Sequence, residues 1–123
     1  MGASTYRELI VWQLADQLRI ELVSLTSEGT AARDLRFRDQ ARASASSICT
    51  NIAEGFARSS HAEFARFLDF ARGSLAETED WLRDGVIRCH WTDDDAASAR
   101  LLVRRLTPAL IRLRRYLRDT PRR

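Results

Sequence analysis

Lysine is absent from this sequence: all 20 cationic side chains among its 123 residues are arginine. A GC-rich genome produces that bias as readily as selection for guanidinium chemistry does, and arginine suits phosphate recognition whatever its origin. Proline and glycine are also scarce, at 2 and 5 residues. Turns must therefore be few and elements long, which argues for an all-helical chain. Two cysteines, Cys49 and Cys89, lie far apart with no paired-cysteine motif. That pattern does not build a disulfide framework and fits reduced thiols in a cytoplasmic protein. There is no secretory apolar region, and no apolar run reaches the roughly 18 residues that a membrane span requires. The expected location is the cytoplasm, without membrane association.

What is present is one domain's worth of ordinary globular sequence, 45% hydrophobic and 30% charged. A chain of this length buries about two thirds of its unfolded surface and holds a single core, so residues 1–123 are read as one domain. The formal charge of +3 hides an asymmetry. Residues 1–99 carry 11 Arg against 16 Asp and Glu, a net of −5, whereas residues 100–123 carry 9 Arg against Asp119 alone, a net of +8. Basic character is thus a local property of the C-terminal segment.

Apolar periodicity predicts four helices, at about 6–26, 32–57, 61–87 and 93–118. In the first, Val11, Leu14, Ala15, Leu18, Leu22 and Leu25 form a core stripe. Leu9, Trp12, Ile20 and Val23 lie on other sides, more apolar surface than one bundle core usually consumes. A wide core contact and a subunit interface are both open readings of that surplus. Gly29 suits the left-handed position that closes the helix.

The second helix pairs an apolar stripe (Phe37, Ala41, Ala45, Ile48, Ile52, Phe56) with a polar one: Gln40, Ser44, Ser47, Asn51 and Glu54. Ser60 and Glu63 form a capping box opening the third helix, and the short break makes the two helices antiparallel neighbours. The third buries Phe64, Phe67, Leu68, Ala71, Leu75, Thr78 and Leu82, with Gly73 and Ser74 offering a close-approach point. Its outer positions are acidic: Asp69, Glu77, Glu79, Asp80 and Asp84. Thr92 followed by Asp93, Asp94 and Asp95 places a cap and carboxylates at a positive helix end.

On the fourth helix Ala99, Leu102, Leu106, Ala109, Leu113 and Leu117 face the core. Opposite them cluster Arg100, Arg104, Arg114, Arg115 and Arg118, with Arg105 and Arg112 further round. Leu101 and Ile111 fall within the cationic sector. Pro108 removes one backbone hydrogen bond and should kink the helix. Four such helices with short connections make an all-α, antiparallel up-down-up-down four-helix bundle.

Catalytic and metal chemistry find little support. A di-iron bundle needs Glu-x-x-His on two helices, and neither His61 nor His90 has Glu three residues earlier. No Gly-rich phosphate loop occurs, and nothing supplies Cys49 with a base or an oxyanion hole. No enzyme, cofactor or metal is expected. Asn51 and Glu54 read first as register-fixing polar residues, the alternative being that Glu54 lines a central cavity or partner groove. The arginine ridge reads either as a solvated face or as a phosphate-binding surface of low sequence specificity. Tyr116 is the sole aromatic near it for base stacking.

The segment Ser47–Leu82 carries a more specific signal. Asn51–Gly55 (Asn-Ile-Ala-Glu-Gly), Phe64, Phe67 and Gly73-Ser74-Leu75 with Glu77, together with Val11-Trp12-Gln13 and Asp39–Ser44, resemble the four helix bundle proteins. That family includes proteins encoded in intervening sequences of bacterial large-subunit ribosomal RNA genes and, more distantly, accessory variability determinants of diversity-generating retroelements. The resemblance implies a cytosolic, non-enzymatic antiparallel bundle that assembles into a ring of five, with basic surface contacting RNA or DNA. The retroelement relatives bind a reverse transcriptase and nucleic acid. The chain departs from the family in lacking lysine and in its ending, Asp119-Thr120-Pro121-Arg122-Arg123.

Two functions from different classes follow. One is a homo-oligomeric, nucleic-acid-binding accessory protein using Arg100, Arg104, Arg105, Arg112, Arg114, Arg115 and Arg118. The other is a protein-interaction scaffold without a nucleic-acid role, using Leu9, Trp12, Ile20, Leu101 and Ile111 left over from the core. Oligomerisation is a separate expectation, with Leu9, Trp12, Ile20, Val23, Leu101 and Ile111 as its interface.

Overall fold

The computed structural model describes residues 2–120, and every regular element among them is helical. Thr5 opens the chain with a capping box: its hydroxyl accepts from the Arg7 amide while the Glu8 carboxylate accepts from the Thr5 amide. The Ser4 hydroxyl also donates to Glu8, and this bond holds the Glu8 carboxyl below its usual range. The expected helix from residue 6 is broken. Tyr6–Glu8 form a 3₁₀ turn, and Leu9 adopts an extended backbone (φ −74°, ψ 130°) before α1 runs from Ile10 to Leu25. That break turns Leu9 inward. It is 8% exposed and belongs to the core, not to the surplus surface the sequence suggested.

Thr26 ends α1. Its buried hydroxyl donates to the Leu22 carbonyl at 2.6 Å and accepts from Arg42 at 2.8 Å. Gly29 takes φ +62°, open to glycine without strain, and begins α2, the five-residue helix Gly29–Arg33. The long second helix predicted from residue 32 is therefore two elements, because Asp34 (φ −87°, ψ 79°) interrupts it before α3, Leu35–Phe56. The Asp34 carboxylate does not cap α3; it is taken up by Arg88 and His90 across the bundle. Ser60 caps α4, His61–Ile87, by accepting from the Glu63 amide, at the bounds expected. Thr92 and Asp95 bond reciprocally, side chain to amide, and the turns they set lead into α5. Regular helix begins four residues later than expected, at Ala97, and runs through Pro108 to Asp119.

Each long helix packs on two others: α1 on α3 and α5, and α4 on α3 and α5. Leu18 and Leu22 of α1, Phe37, Ile48 and Ile52 of α3, Leu68 and Leu82 of α4, and Leu106, Leu110 and Leu117 of α5 are fully buried. Each such side chain is worth about 1.5–3 kcal/mol of transfer free energy. Val103 and Leu110 join the core beyond the predicted α5 stripe, whereas Ala109 and Leu113 pack at its edge.

The α3–α4 pair approaches closely at Gly55. A methyl there would sit 2.8 Å from Phe67 Cβ and 2.9 Å from Phe64 Cδ1. Gly73, expected to play that part, has nothing within 4 Å of such a methyl and faces outward. Gly85 instead gives room to Trp91, whose ring would overlap any side chain placed there. The end of α4 is closed by paired bonds from the His90 amide to Gly85 O (2.8 Å) and from the Cys89 amide to Val86 O (3.0 Å). This is the Schellman arrangement, with Cys89 at φ +63° where glycine is usual.

Two substitutions test these positions. Gly55→Ala should destabilise by about 1–3 kcal/mol through overpacking against Phe64 and Phe67. Cys89→Gly should stabilise by up to about 1 kcal/mol, since the left-handed strain removed exceeds the chain entropy gained by the unfolded state. Chemical denaturation of both variants reads both signs.

Candidate nucleic-acid interface

The repeat of α5 puts its seven arginines on the sectors that the core stripe leaves free. Their electrostatic situations differ. Arg114 makes a two-pronged pair with Asp69 of α4, Nε to Oδ1 at 2.7 Å and Nη2 to Oδ2 at 3.2 Å. The Asp69 hydrogen bonds push the Arg114 guanidinium further up from its already high value. Arg100 is bound by Asp93 and Arg118 by neighbouring Asp119. Arg104, Arg105, Arg112 and Arg115 are exposed and take part in no ion pair or hydrogen bond among the described residues. Three of the seven arginines are thus neutralised in place, and four keep their donors free.

The four do not share one environment. Arg105 rims a cleft between α1 and α5 with Gln17, Ile20, Glu21, Ser98 and Leu101. Arg112 lines a second cleft between the same helices, beside Glu8, Ile10, Ala109 and Leu113. Arg104 and Arg115 line neither and project to solvent. Of the apolar residues read as interface, Ile20 (59% exposed), Val23 and Leu101 (48%) are at the surface. Ile111 is half-buried, and Trp12 packs edge-on against Tyr6 at the margin of the core.

The polar residues of α3 divide along the helix. The buried Thr78 hydroxyl meets Ser44 Oγ at 2.9 Å, while Ser44 donates to the Ala41 carbonyl. Ser47 and Ser74 hydroxyls lie 2.8 Å apart, and the Asn51 amide donates to Ser47 O at 2.8 Å and Ser47 Oγ at 3.1 Å. Ser44 and Ser47 therefore join α3 to α4, while Asn51 bonds back to Ser47 within α3. Gln40 is exposed, and Glu54 pairs with Arg58 at the surface at 2.7 Å instead of lining a cavity. Cys49 is buried in the core, and burial pushes its thiol up to about 11.

A second cluster, at the far end of the bundle, had no signature that periodicity could reveal. His90 Nε2 lies 2.8 Å from Asp34 and Nδ1 2.7 Å from the Thr30 hydroxyl, and its ring stands 4.8 Å from Phe37. Arg88 bridges Asp34 and Asp84 over the same Phe37 ring. Trp81 and Trp91 complete the aromatic shell. The partners are 54 and 56 residues apart in sequence.

Residues 7–112 match the model of the 23S rRNA-intervening sequence protein family. The chain belongs to that family. No curated protein matches it significantly. The matched span takes in Arg100, Arg104, Arg105 and Arg112 and ends before Arg114, Arg115 and Arg118. It also holds the whole α3–α4 contact and the His90 cluster, so the family's shared sequence is mostly bundle, with part of the cationic helix. Among the described residues, no group of three or more His, Cys, Asp and Glu is placed to hold a metal ion, and no helix is long and apolar enough to cross a membrane.

The Asp34 carboxyl is held below its usual range, first by the hydrogen bond from His90 and then by Arg88. Its contribution is present above the unfolded carboxylate value of about 3.9 and is lost as pH falls through the lower folded value. Asp34→Asn should flatten the decline of melting temperature between pH 5 and 2 relative to wild type, measured by circular dichroism.

Proposed function

We propose that this protein is a non-catalytic, cytoplasmic accessory protein that assembles as a ring, five copies being the family-based expectation, and binds RNA or DNA through α5. The observation that carries this reading is the set of exposed α5 arginines without partners. A cation left unpaired on a surface where neighbouring arginines are each matched by a carboxylate is poised for an external anion, and guanidinium groups bind phosphate in two-pronged fashion. Family membership supports an RNA-associated role, because the family's name ties it to ribosomal RNA.

The reading includes an up-down-up-down course for the four long helices. Support comes from contacts that descend one helix while ascending the next: Ser44 with Thr78 and Ser47 with Ser74 for α3 and α4, Asp69 with Arg114 and His61 with Thr120 for α4 and α5. The clefts that join Ile20 to Leu101 and Ile10 to Arg112 support the same course for α1 and α5. Such a bundle spaces the unpaired arginines along α5, and their contacts with nucleic acid would follow backbone phosphates with little base selection.

The alternative, a protein-interaction scaffold, draws on Ile20 and Leu101, two exposed apolar residues on one cleft. The test is titration of labelled RNA and DNA at several salt concentrations. The Arg104→Glu/Arg115→Glu variant should bind at least tenfold more weakly at 100 mM salt, and the slope of log affinity against log salt should fall by roughly 0.7–0.9 for each phosphate no longer neutralised. Arg114→Gln, which removes a guanidinium already paired with Asp69, should change affinity less than twofold. Equal binding by wild type and the double variant would reject the nucleic-acid reading in favour of the scaffold.

A further inference from the structure

Two surfaces of this chain are unexplained by its own fold, and they complement one another. The first is the groove between α1 and α5. It has exposed apolar residues, Ile10 (63% exposed) near one end and Ile20 with Leu101 near the other, and it is rimmed by Arg112 and Arg105. These arginines are seven residues apart, two helical turns or roughly 10 Å along the axis.

The second surface is the outer stripe of α4, on which Phe70, Gly73, Glu77, Asp80 and Ile87 recur at helical spacing. Phe70 and Ile87 are exposed apolar residues at its ends, 45% and 61% accessible. Between them Asp80 makes no ion pair among the described residues, and Glu77 accepts a single hydrogen bond, from Trp81. Gly73 lies in mid-helix with open space around it. Glycine there costs the helix about 1 kcal/mol relative to alanine and gains nothing within one chain. A backbone bare of side chain on an outward helix face admits a close neighbour from outside.

We infer that the outer stripe of α4 seats in the α1–α5 groove of a second copy, Ile87 against Ile20 and Leu101, and Asp80 and Glu77 in turn against Arg105 and Arg112. The inference rests on the oligomeric part of the proposed function and names its contact. The occupant is a second copy because the groove's arginine rim calls for carboxylates flanked by apolar residues, which this stripe supplies. Glu21 on the α1 wall finds its counter-charge in Arg83, one turn beyond Asp80 on α4. The two surfaces are different parts of the chain, so the contact is heterologous and propagates from copy to copy until it closes. The α5 arginines then serve two ends. Arg105 and Arg112 hold a neighbouring subunit, while Arg104 and Arg115 remain for phosphate.

The experiment uses two variants of the full chain, each blocking one surface: Gly73→Arg on α4 and Leu101→Asp in the groove. Both positions are exposed, and melting curves check that each variant folds. Analytical ultracentrifugation of wild type at micromolar concentration should give an oligomer, and each variant alone a monomer. Mixed in equal amounts, the variants retain one intact groove and one intact α4 stripe between them, so they should form a 1:1 heterodimer and nothing larger. A wild-type oligomer that persists in both variants overturns this contact and leaves the oligomeric reading standing. A monomeric wild type overturns both. Arg104→Glu/Arg115→Glu should retain the wild-type mass, and loss of assembly in that variant would contradict the division of the arginines.

Discussion

The close approach of α3 and α4 is the constraint on which the other helices depend. At Gly55 the backbone of α3 lies against Phe64 and Phe67, nearer than any side chain at that position would allow. Higher up, the hydroxyls of Ser44, Ser47, Ser74 and Thr78 bond across the seam where larger apolar residues would hold the helices apart. Small residues allow the approach, and the hydrogen bonds choose one register among those that smooth packing alone would permit. With that pair fixed, α1 and α5 can each lie across one of its edges and close the core on Leu18, Leu22, Leu106 and Leu110.

A closed core leaves α5 with its outer arc unburied, and neighbouring carboxylates decide what that arc can do. Asp69 of α4 and Asp93 ahead of α5 neutralise the arginines within their reach, Arg114 and Arg100. Arg104 and Arg115 lie beyond them. The same geometry sets Arg105 and Arg112 on the lip of the α1–α5 groove, where an arginine can serve a protein contact as well as a phosphate. One helix can thereby offer two kinds of binding surface separated by less than a turn.

Much of the bundle was legible in the residues. The bounds of α4 follow from the Ser60 cap and the apolar repeat, and the expected stripes of α1 and α3 are largely the buried ones. The misreadings share a cause. Leu9, Asp34 and Ala97 bound helices where a side chain is drawn to a tertiary partner or where capping turns precede regular helix, and no periodicity encodes that. Gly73 and Gly55 look alike in sequence; one faces solvent and the other a phenyl ring. The seven arginines were visible at once, but their division into paired and unpaired depends on which carboxylates stand opposite them.

By itself, the sequence determined that the chain is helical, that its polar stripe lies on α3 and that its positive charge gathers on α5. Each of these is set by residues a few positions apart, within the reach of helical periodicity. Tertiary structure alone decided that Asp34 serves His90 and Arg88 instead of capping α3, that Trp91 stacks on Gly85, and which arginines keep their charge unpaired. Those outcomes join residues that are neighbours solely because the helices pack as they do, and a linear pattern carries no record of which faces will meet.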